Sequence, residues 1–460
     1  MNCISVMDEF LNCICEIVWG WPLIISIMII GIYFSFRLGI LRLASFKLSM
    51  KSILHTEESD GDISVFASLC TALSSTIGTG NIVGIAVAIS IGGPGSLFWL
   101  WISSIFSLAI KYAEGLLSIK YRKIGSNGLV TGGPMYYIEL GIQNHPVFAK
   151  ILAKSFAIFG VIVTLLGTGT FAQSNSIAVS LQSSFGIPIT LSAVLISLLA
   201  AIITFGGLLR IAAVSEKLVP LMAGFYVGAA ILVLLFNITS VPHAFYLIIN
   251  EAFSQGSVLG GGVGVSISHV VSVGVRRGIY SHESGLGSSA IASATAKTNS
   301  PARQGFVSMA GAIFSVIICT MTGFVLILTC ESTGLFSEAC ELKGATLTSC
   351  AFGYGLGITQ LGKYIVDIGI SLFAFTTIIG WNYYGEKCIQ YVFGDRSIVP
   401  FKVLYIACVA LGPFFSINSI LLVADTLTGL MALTNLIGLV KLRKTVINET
   451  QRFWSSSKSA

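Results

Sequence analysis

The chain has 460 residues, of which 54% are hydrophobic and only 10% charged, with a net charge of +6 and a mean hydropathy of +0.88. A soluble chain carries roughly 25% charged residues, so there is too little polar surface here to coat a water-soluble globule, and the surplus apolar surface must face lipid. The basic residues fall in short clusters between apolar runs, as in cytoplasmic loops, which argues against nucleic acid as the partner for the positive charge.

Runs such as Ile17–Phe36, Phe98–Ile119 and Ile189–Phe205 are apolar without alternation, which makes the spans helices rather than barrel strands. The first run has Asp8, Glu9 and Glu16 before it in place of a basic leader, and it reads as a retained helix over 15–36 rather than a signal peptide. Five more transmembrane helices are expected at 66–90, 97–121, 150–182, 189–207 and 214–236, and a further five at 244–275, 304–329, 361–393, 401–415 and 417–440. With the amino terminus outside, this count of eleven puts the clusters Arg37–Lys51, Lys120–Lys123, Arg276–Arg277 and Lys387–Lys402, and the tail from Lys441, on the cytoplasmic side. Only Lys343 and Lys363 fall near the outer side, and one span more or fewer scrambles this bias.

The expected organisation is therefore a leading helix with a basic cytoplasmic linker (1–60), a first five-helix repeat (61–240), a second (241–440) and a cytoplasmic tail (441–460). A repeat of five spans must have its copy inserted upside down, the inverted-repeat pattern of many secondary transporters. Glycine clusters interrupt the first helix of each half, Gly78-Thr79-Gly80-Asn81 in one and Gly260-Gly261-Gly262-Val263-Gly264 in the other. Glycine costs about 1 kcal/mol relative to alanine inside a helix, and unwound backbone within a bilayer is tolerated only where it lines a cavity or is buried in protein. The competing reading, close helix packing through small residues, is outweighed by the matching positions of the two clusters.

The ten cysteines form no Cys-x-x-Cys pair. Cys3, Cys13, Cys15, Cys340 and Cys350 are expected on or near the outer side, where either a disulfide or unpaired thiols fit.

Four stretches, in order, are similar to the alanine or glycine:cation symporter family. They are Ser75-Thr76-Ile77-Gly78-Thr79-Gly80-Asn81-Ile82-Val83-Gly84 with Gly92-Gly93-Pro94-Gly95, then Gly132-Gly133-Pro134-Met135-Tyr136-Tyr137. The third is Arg277-Gly278-Ile279-Tyr280-Ser281-His282-Glu283-Ser284-Gly285-Leu286-Gly287-Ser288. The fourth runs from Phe373 through Trp381 to Tyr383-Tyr384-Gly385-Glu386-Lys387. The resemblance implies an all-α membrane protein with the leucine-transporter-like 5+5 inverted repeat, preceded here by one extra helix. It also implies sodium-coupled uptake of L- or D-alanine or glycine across a bacterial inner membrane. The family usually reads Phe-Ser-Asn-Glu-Ala-Gly where this chain has Tyr280-Ser281-His282-Glu283-Ser284-Gly285, a segment expected in an inner loop.

A zwitterionic substrate needs donors for its carboxylate and acceptors for its ammonium. Backbone N–H groups around Thr79, Gly80 and Asn81 suit the first; carbonyls freed near Gly261 and Gly262, with the Ser266 hydroxyl, suit the second. Gln173 offers both donor and acceptor, though an ordinary interhelical hydrogen bond accounts for it equally well. Trp381 follows a glycine within a polar stretch and is expected to wall the side-chain pocket.

Sodium, the coupling ion, wants hard oxygens. The hydroxyls of Thr376 and Thr377, with the carbonyls of Ser74, Ile77 and Phe373, form the expected shell, the family resemblance outweighing the commoner tendency of such threonines to bond their own helix. Lys111 and Glu114, and Lys363 and Asp367, are spaced to pair along a helix; Asp425 has no local partner and is a candidate outer gate. No enzyme motif and no organic cofactor site is evident. The reading requires a small amino acid substrate and surrounding lipid, no nucleic acid, and nothing beyond a monomer. A proton-coupled symporter and an ion channel are the alternatives.

Overall fold

The computed structural model describes residues 3–54, 59–125, 128–254, 266–333, 344–415 and 418–456. Apart from a two-stranded ribbon, Lys123–Ile124 against Val130–Thr131, the described elements are helical. α1 (Cys3–Val18) and α2 (Trp21–Leu38) meet at Gly20, and the stretch Glu9–Leu38 is apolar enough to cross a membrane. α3 (Leu43–Ile53) leads to α4 (Val65–Thr76), whose first turn is capped by the Ser64 hydroxyl accepting from the Ala67 N–H at 3.0 Å. A single 3-10 turn, Thr79–Asn81, separates α4 from α5 (Val83–Gly92), and the pair is bent by 67°.

There follow α6 (Gly95–Lys120), α7 (Pro134–Gly141), α8 (Pro146–Leu166), α9 (Phe171–Phe185), α10 (Ile189–Thr204), α11 (Gly207–Phe236) and α12 (Val241–Glu251). The remainder comprises α13 (Ile267–His282), α14 (Ser288–Ser293), α15 (Pro301–Thr333), α16 (Ala345–Leu356), α17 (Thr359–Phe393), α18 (Ile398–Leu411), α19 (Asn418–Lys441) and α20 (Arg443–Ser456).

Among the described residues, eight helices are long and apolar enough to span a membrane, nine with the bent pair α4–α5. They coincide with nine of the expected segments, α8 and α9 together forming one of them over Pro146–Phe185. The expected helix at 189–207 is the shorter apolar helix α10. The segment 244–275 is divided between α12 and α13, and residues 255–265 between them lie outside the described residues.

The segment expected in an inner loop, Tyr280 to Gly285, departs from that expectation. It lies in the core: Ser281, His282, Glu283 and Ser284 are all at most 3% exposed. α13 runs alongside α6, with the backbone of Gly274 close to Ser96 and Trp99 and that of Gly278 close to Leu100 and Ser103. Arg276 and Arg277, expected on the cytoplasmic side, therefore sit beside the first half of α6. Arg276 lies over the Trp19 ring at 5.7 Å, and the Arg277 guanidinium packs against Gly84. Two arginines inside one otherwise unremarkable helix look like a loop to a hydropathy argument. Here an aromatic face and a glycine gap accommodate them.

The end of the fold at the close of α6 is tied by Arg122, which donates to the carbonyls of Asp60 (2.6 Å), Ala296 (2.8 Å) and Thr298 (3.1 Å). α20 folds back onto this end, its Glu449 paired with Lys120 at 2.8 Å and its Thr450 hydroxyl 3.0 Å from the Tyr112 phenol.

Candidate functional site

Two helix breaks face each other in the middle of the fold. In the first, Ile77 leaves helical geometry (ψ 94°) and the turn is closed by Asn81 N–H donating to the Gly78 carbonyl (3.1 Å), Gly78 N–H to Asn81 Oδ1 (3.2 Å) and Ile82 N–H to the Thr79 carbonyl (3.2 Å). This leaves the N–H groups of Thr79 and Gly80 out of the turn's own bonding. The second break lies at 283–287, between α13 and α14, where Glu283, Gly285 and Gly287 have φ of 51°, 90° and 77°. Glu283 is the one non-glycine residue with positive φ among those described, a conformation that costs an L-residue energy and is held only by its surroundings.

Those surroundings are charged. From α6, Lys111 Nζ donates to the carbonyls of His282 (2.9 Å) and Glu283 (3.4 Å), while Glu114 Oε1 accepts from the N–H groups of Gly285 (2.9 Å) and Gly287 (3.1 Å). A cation thus meets the carbonyl end of α13, and an anion the N–H groups leading into α14, each matched to the backbone groups a broken helix leaves unpaired. Asn435 of α19 completes the clasp, donating to Glu114 Oε1 (2.7 Å) and the Gly285 carbonyl (2.9 Å). Lys111 and Glu114 do not pair with each other as expected, because each is committed to one end of the break. Lys363 and Asp367 likewise bond α9, through the Ser183 carbonyl and the Ser184 hydroxyl, rather than one another.

The breaks are tied together on two sides. Asn81 Nδ2 donates to Ser281 Oγ (2.9 Å) and Ser315 Oγ (2.8 Å), and Thr76 Oγ1 donates to Glu283 Oε2 (3.4 Å). Between them opens a cavity of about 320 Å³ whose lining includes Ser75, Thr76, Gly78, Thr79, Gly80, Asn81, Gln173, Arg277, Tyr280, Glu283, Thr377 and Asp425. Its α4 and 283 side is buried, and its α5 and α9 side, at Val83, Val87, Ala172 and Ser176, is partly exposed.

Of the residues expected to meet substrate, Thr79, Gly80, Asn81 and Gln173 line this cavity. The Gln173 Oε1 atom is buried and has no protein partner, the state of an acceptor awaiting a ligand or water. The Asn81 amide is committed to the ties described above. Ser266 is exposed at the start of α13, its hydroxyl accepting from His269 N–H, and is not brought to the cavity; Gly261 and Gly262 lie outside the described residues. Trp381 is buried, edge-on to Tyr384 at 5.6 Å, behind the cavity rather than on its lining.

Of the expected sodium shell, Thr377 lines the cavity and approaches the first break so closely that a Cβ on Gly78 would fall 2.7 Å from its hydroxyl. Both Thr377 and Thr376 donate to the Phe373 carbonyl, at 2.8 and 3.0 Å, and Thr376 Oγ1 also turns toward the Met222 sulfur (3.4 Å) on α11. The Ser74 hydroxyl is spent on the Thr71 carbonyl (2.8 Å), and Ile77 is the last residue of α4's hydrogen bonding (2.8 Å to Leu73). α4 and α17 meet at these positions, where Gly380 lets the backbone of Ser75 come close.

Sequence reasoning did not place Arg277, Tyr280 and Glu283 in the site. The signal was available: Glu283 stands between helices and is followed by two glycines in four residues, the same grammar as the first break.

The chain matches the model of the sodium:alanine symporter family over residues 4–460. It is 45% identical to an uncharacterized transporter of Haemophilus influenzae, over 98% of this chain and 97% of that one. It is 39% identical to the sodium/alanine symporter AgcS of Methanococcus maripaludis, over 97% of each. Among solved structures it resembles MhsT in complex with L-phenylalanine, with a TM-score of 0.51 and 13% identity, covering 87% of this chain and 100% of that one. That likeness establishes a shared fold, that of the leucine-transporter class.

Proposed function

This chain belongs to the sodium:alanine symporter family, and from that premise we propose that it is a sodium-coupled symporter of alanine or glycine, working by alternating access in a bacterial inner membrane. It is a multi-pass membrane protein for amino acid transport; the ion, the substrate and the compartment are the proposal. The observation that carries it is the cavity between the breaks, which combines the backbone N–H groups of Thr79 and Gly80, left out of the first turn's own bonding, with an unpartnered Gln173 oxygen and the Thr377 hydroxyl.

In this reading the substrate carboxylate lies on the N–H groups of the first break, at the start of α5, where the half-helix dipole favours an anion. Gln173 holds the same end from α9. Sodium is bound where α4 meets α17, by the Thr377 hydroxyl with the Phe373, Ser74 and Ile77 carbonyls; Thr376 is the outer member of the set. The five-plus-five inverted repeat over 61–240 and 241–440 supplies the rocking motion, with eleven spans in all.

Uptake of labelled alanine into proteoliposomes under an imposed sodium or proton gradient tests the reading. Sodium-driven uptake with no proton-driven component is expected. A proton-coupled symporter is the second reading, favoured by two carboxylates, Glu283 and Asp425, on the lining; equal uptake under a proton gradient without sodium selects it.

A further inference from the structure

We propose that Glu283 is the binding group for the ammonium of the transported amino acid, an inference that rests on the reading of the cavity as an amino acid site. A zwitterion needs an acceptor opposite the N–H groups of Thr79 and Gly80. Ser266, expected to help supply one, is exposed at the far end of α13. The anionic groups on the lining are Glu283 and Asp425. Asp425 lies near two arginines, Arg276 and Arg277.

Glu283 has one cation near it, Lys111, against two for Asp425. Its Oε2 accepts from two neutral hydroxyls, Ser288 (2.6 Å) and Thr76 (3.4 Å), and among the described residues no basic side chain forms an ion pair with it. Lys111, the nearest cation, gives its protons to main-chain carbonyls, including that of Glu283 itself. A carboxylate 3% exposed within a membrane protein, whose nearest cation is bonded to main-chain carbonyls instead, is costly and marks a functional position. The positive φ at Glu283 directs this side chain to the junction of the two breaks, where Thr76 of α4 reaches it. A bound ammonium there neutralises the carboxylate, while the substrate carboxylate meets the other break. The cavity then reads both poles of one small zwitterion and discriminates against an acid that lacks the amine.

The test uses the purified full chain at saturating sodium, with L-alanine and lactate as probes, because lactate replaces the ammonium by a neutral hydroxyl. Glu283→Gln keeps the shape and the acceptor oxygen for Ser288. It is expected to weaken alanine binding about 10- to 100-fold, the value of a charge-assisted hydrogen bond, to narrow the preference for alanine over lactate, and to leave stabilisation by sodium alone unchanged. Glu283→Asp, which retains the charge, is expected to keep the discrimination against lactate even if overall affinity falls, and it serves should the glutamine variant fail to fold. If wild type transports alanine and the glutamine variant binds it within 2-fold of wild type, the inference is overturned and the transport reading stands. Loss of the sodium response with alanine affinity retained also overturns it, by making Glu283 an ion ligand. A wild type that takes up no small neutral amino acid overturns the transport reading and this inference together.

Discussion

Thr377 illustrates how one hydroxyl can serve both helix and ion. It donates to the Phe373 carbonyl at 2.8 Å, yet its oxygen retains lone pairs and lies close against the Gly78 backbone at the cavity's edge. Thr377→Ala should raise the sodium concentration for half-maximal uptake by about 5- to 100-fold, since losing one neutral ligand costs on the order of 1–3 kcal/mol. A sodium titration of alanine uptake checks this, and an unchanged midpoint in a well-expressed variant removes Thr377 from the ion shell. Trp381, one turn further along α17, acts from behind. Its Cβ lies so close to Gly169 that a side chain there would come within 2.9 Å of it, so it braces the turn leading to Gln173. Replacing it by leucine removes bulk that packed atoms otherwise hold against the cavity, and inserting extra methylenes into an intact wall costs typically 1–3 kcal/mol. Wild-type alanine uptake should therefore resist competition by leucine, whereas Trp381→Leu should yield to leucine and valine. If the variant gains no new competitor, Trp381 does not set the size of the cavity from behind.

At the scale of the element, the second break is held by α6. Lys111 and Glu114 sit one turn apart and reach the carbonyl end and the N–H end of the same interruption, so a helix that is itself unbroken fixes the geometry of one that is. Glu114→Ala leaves two buried backbone N–H groups and the Asn435 amide without their acceptor, each worth about 1–3 kcal/mol. It should lower the melting temperature of the purified protein markedly and abolish uptake. Glu114→Gln retains an acceptor oxygen and should keep most of the stability. Thermal unfolding of the two variants by intrinsic fluorescence decides the matter; an alanine variant that melts with wild type shows that the break does not depend on α6. In the first break the corresponding role falls to Asn81, whose amide spans α4–α5, α13 and α15.

For the whole molecule, the charge pattern predicts an orientation with the amino terminus outside, and the structure supplies positions at which to read it. Gln360, at the start of α17, and Lys123, in the ribbon after α6, are both exposed. In a background lacking Cys3, Cys13, Cys15, Cys340 and Cys350, Gln360→Cys should react with a membrane-impermeant thiol reagent in intact cells, and Lys123→Cys only after permeabilisation. The reverse outcome inverts the topology. Cys340 and the side chain of Cys3, which were expected outside, lie beyond the described residues, while Cys13, Cys15 and Cys350 are free thiols.

The sequence by itself determined what local chemistry controls. Long apolar runs without alternation can only be membrane helices, and nine of the expected spans meet helices that satisfy that test. Gly78 to Asn81 marks a break because glycine spacing is a property of the chain, and α4 and α5 do part there at 67°. The ordered motifs carry the family. What hydropathy misassigned was the segment whose burial is provided from elsewhere. Arg276 and Arg277 read as cytoplasmic until Trp19 and Gly84 are seen beside them, and His282 to Gly287 read as a loop until Lys111, Glu114 and Asn435 are seen to satisfy its backbone. Partners 150 to 173 residues apart in the chain leave no trace in local pattern. Only the tertiary structure decided that the second break falls at Glu283, because a polar segment becomes interior when distant groups supply the hydrogen bonds that water would otherwise make.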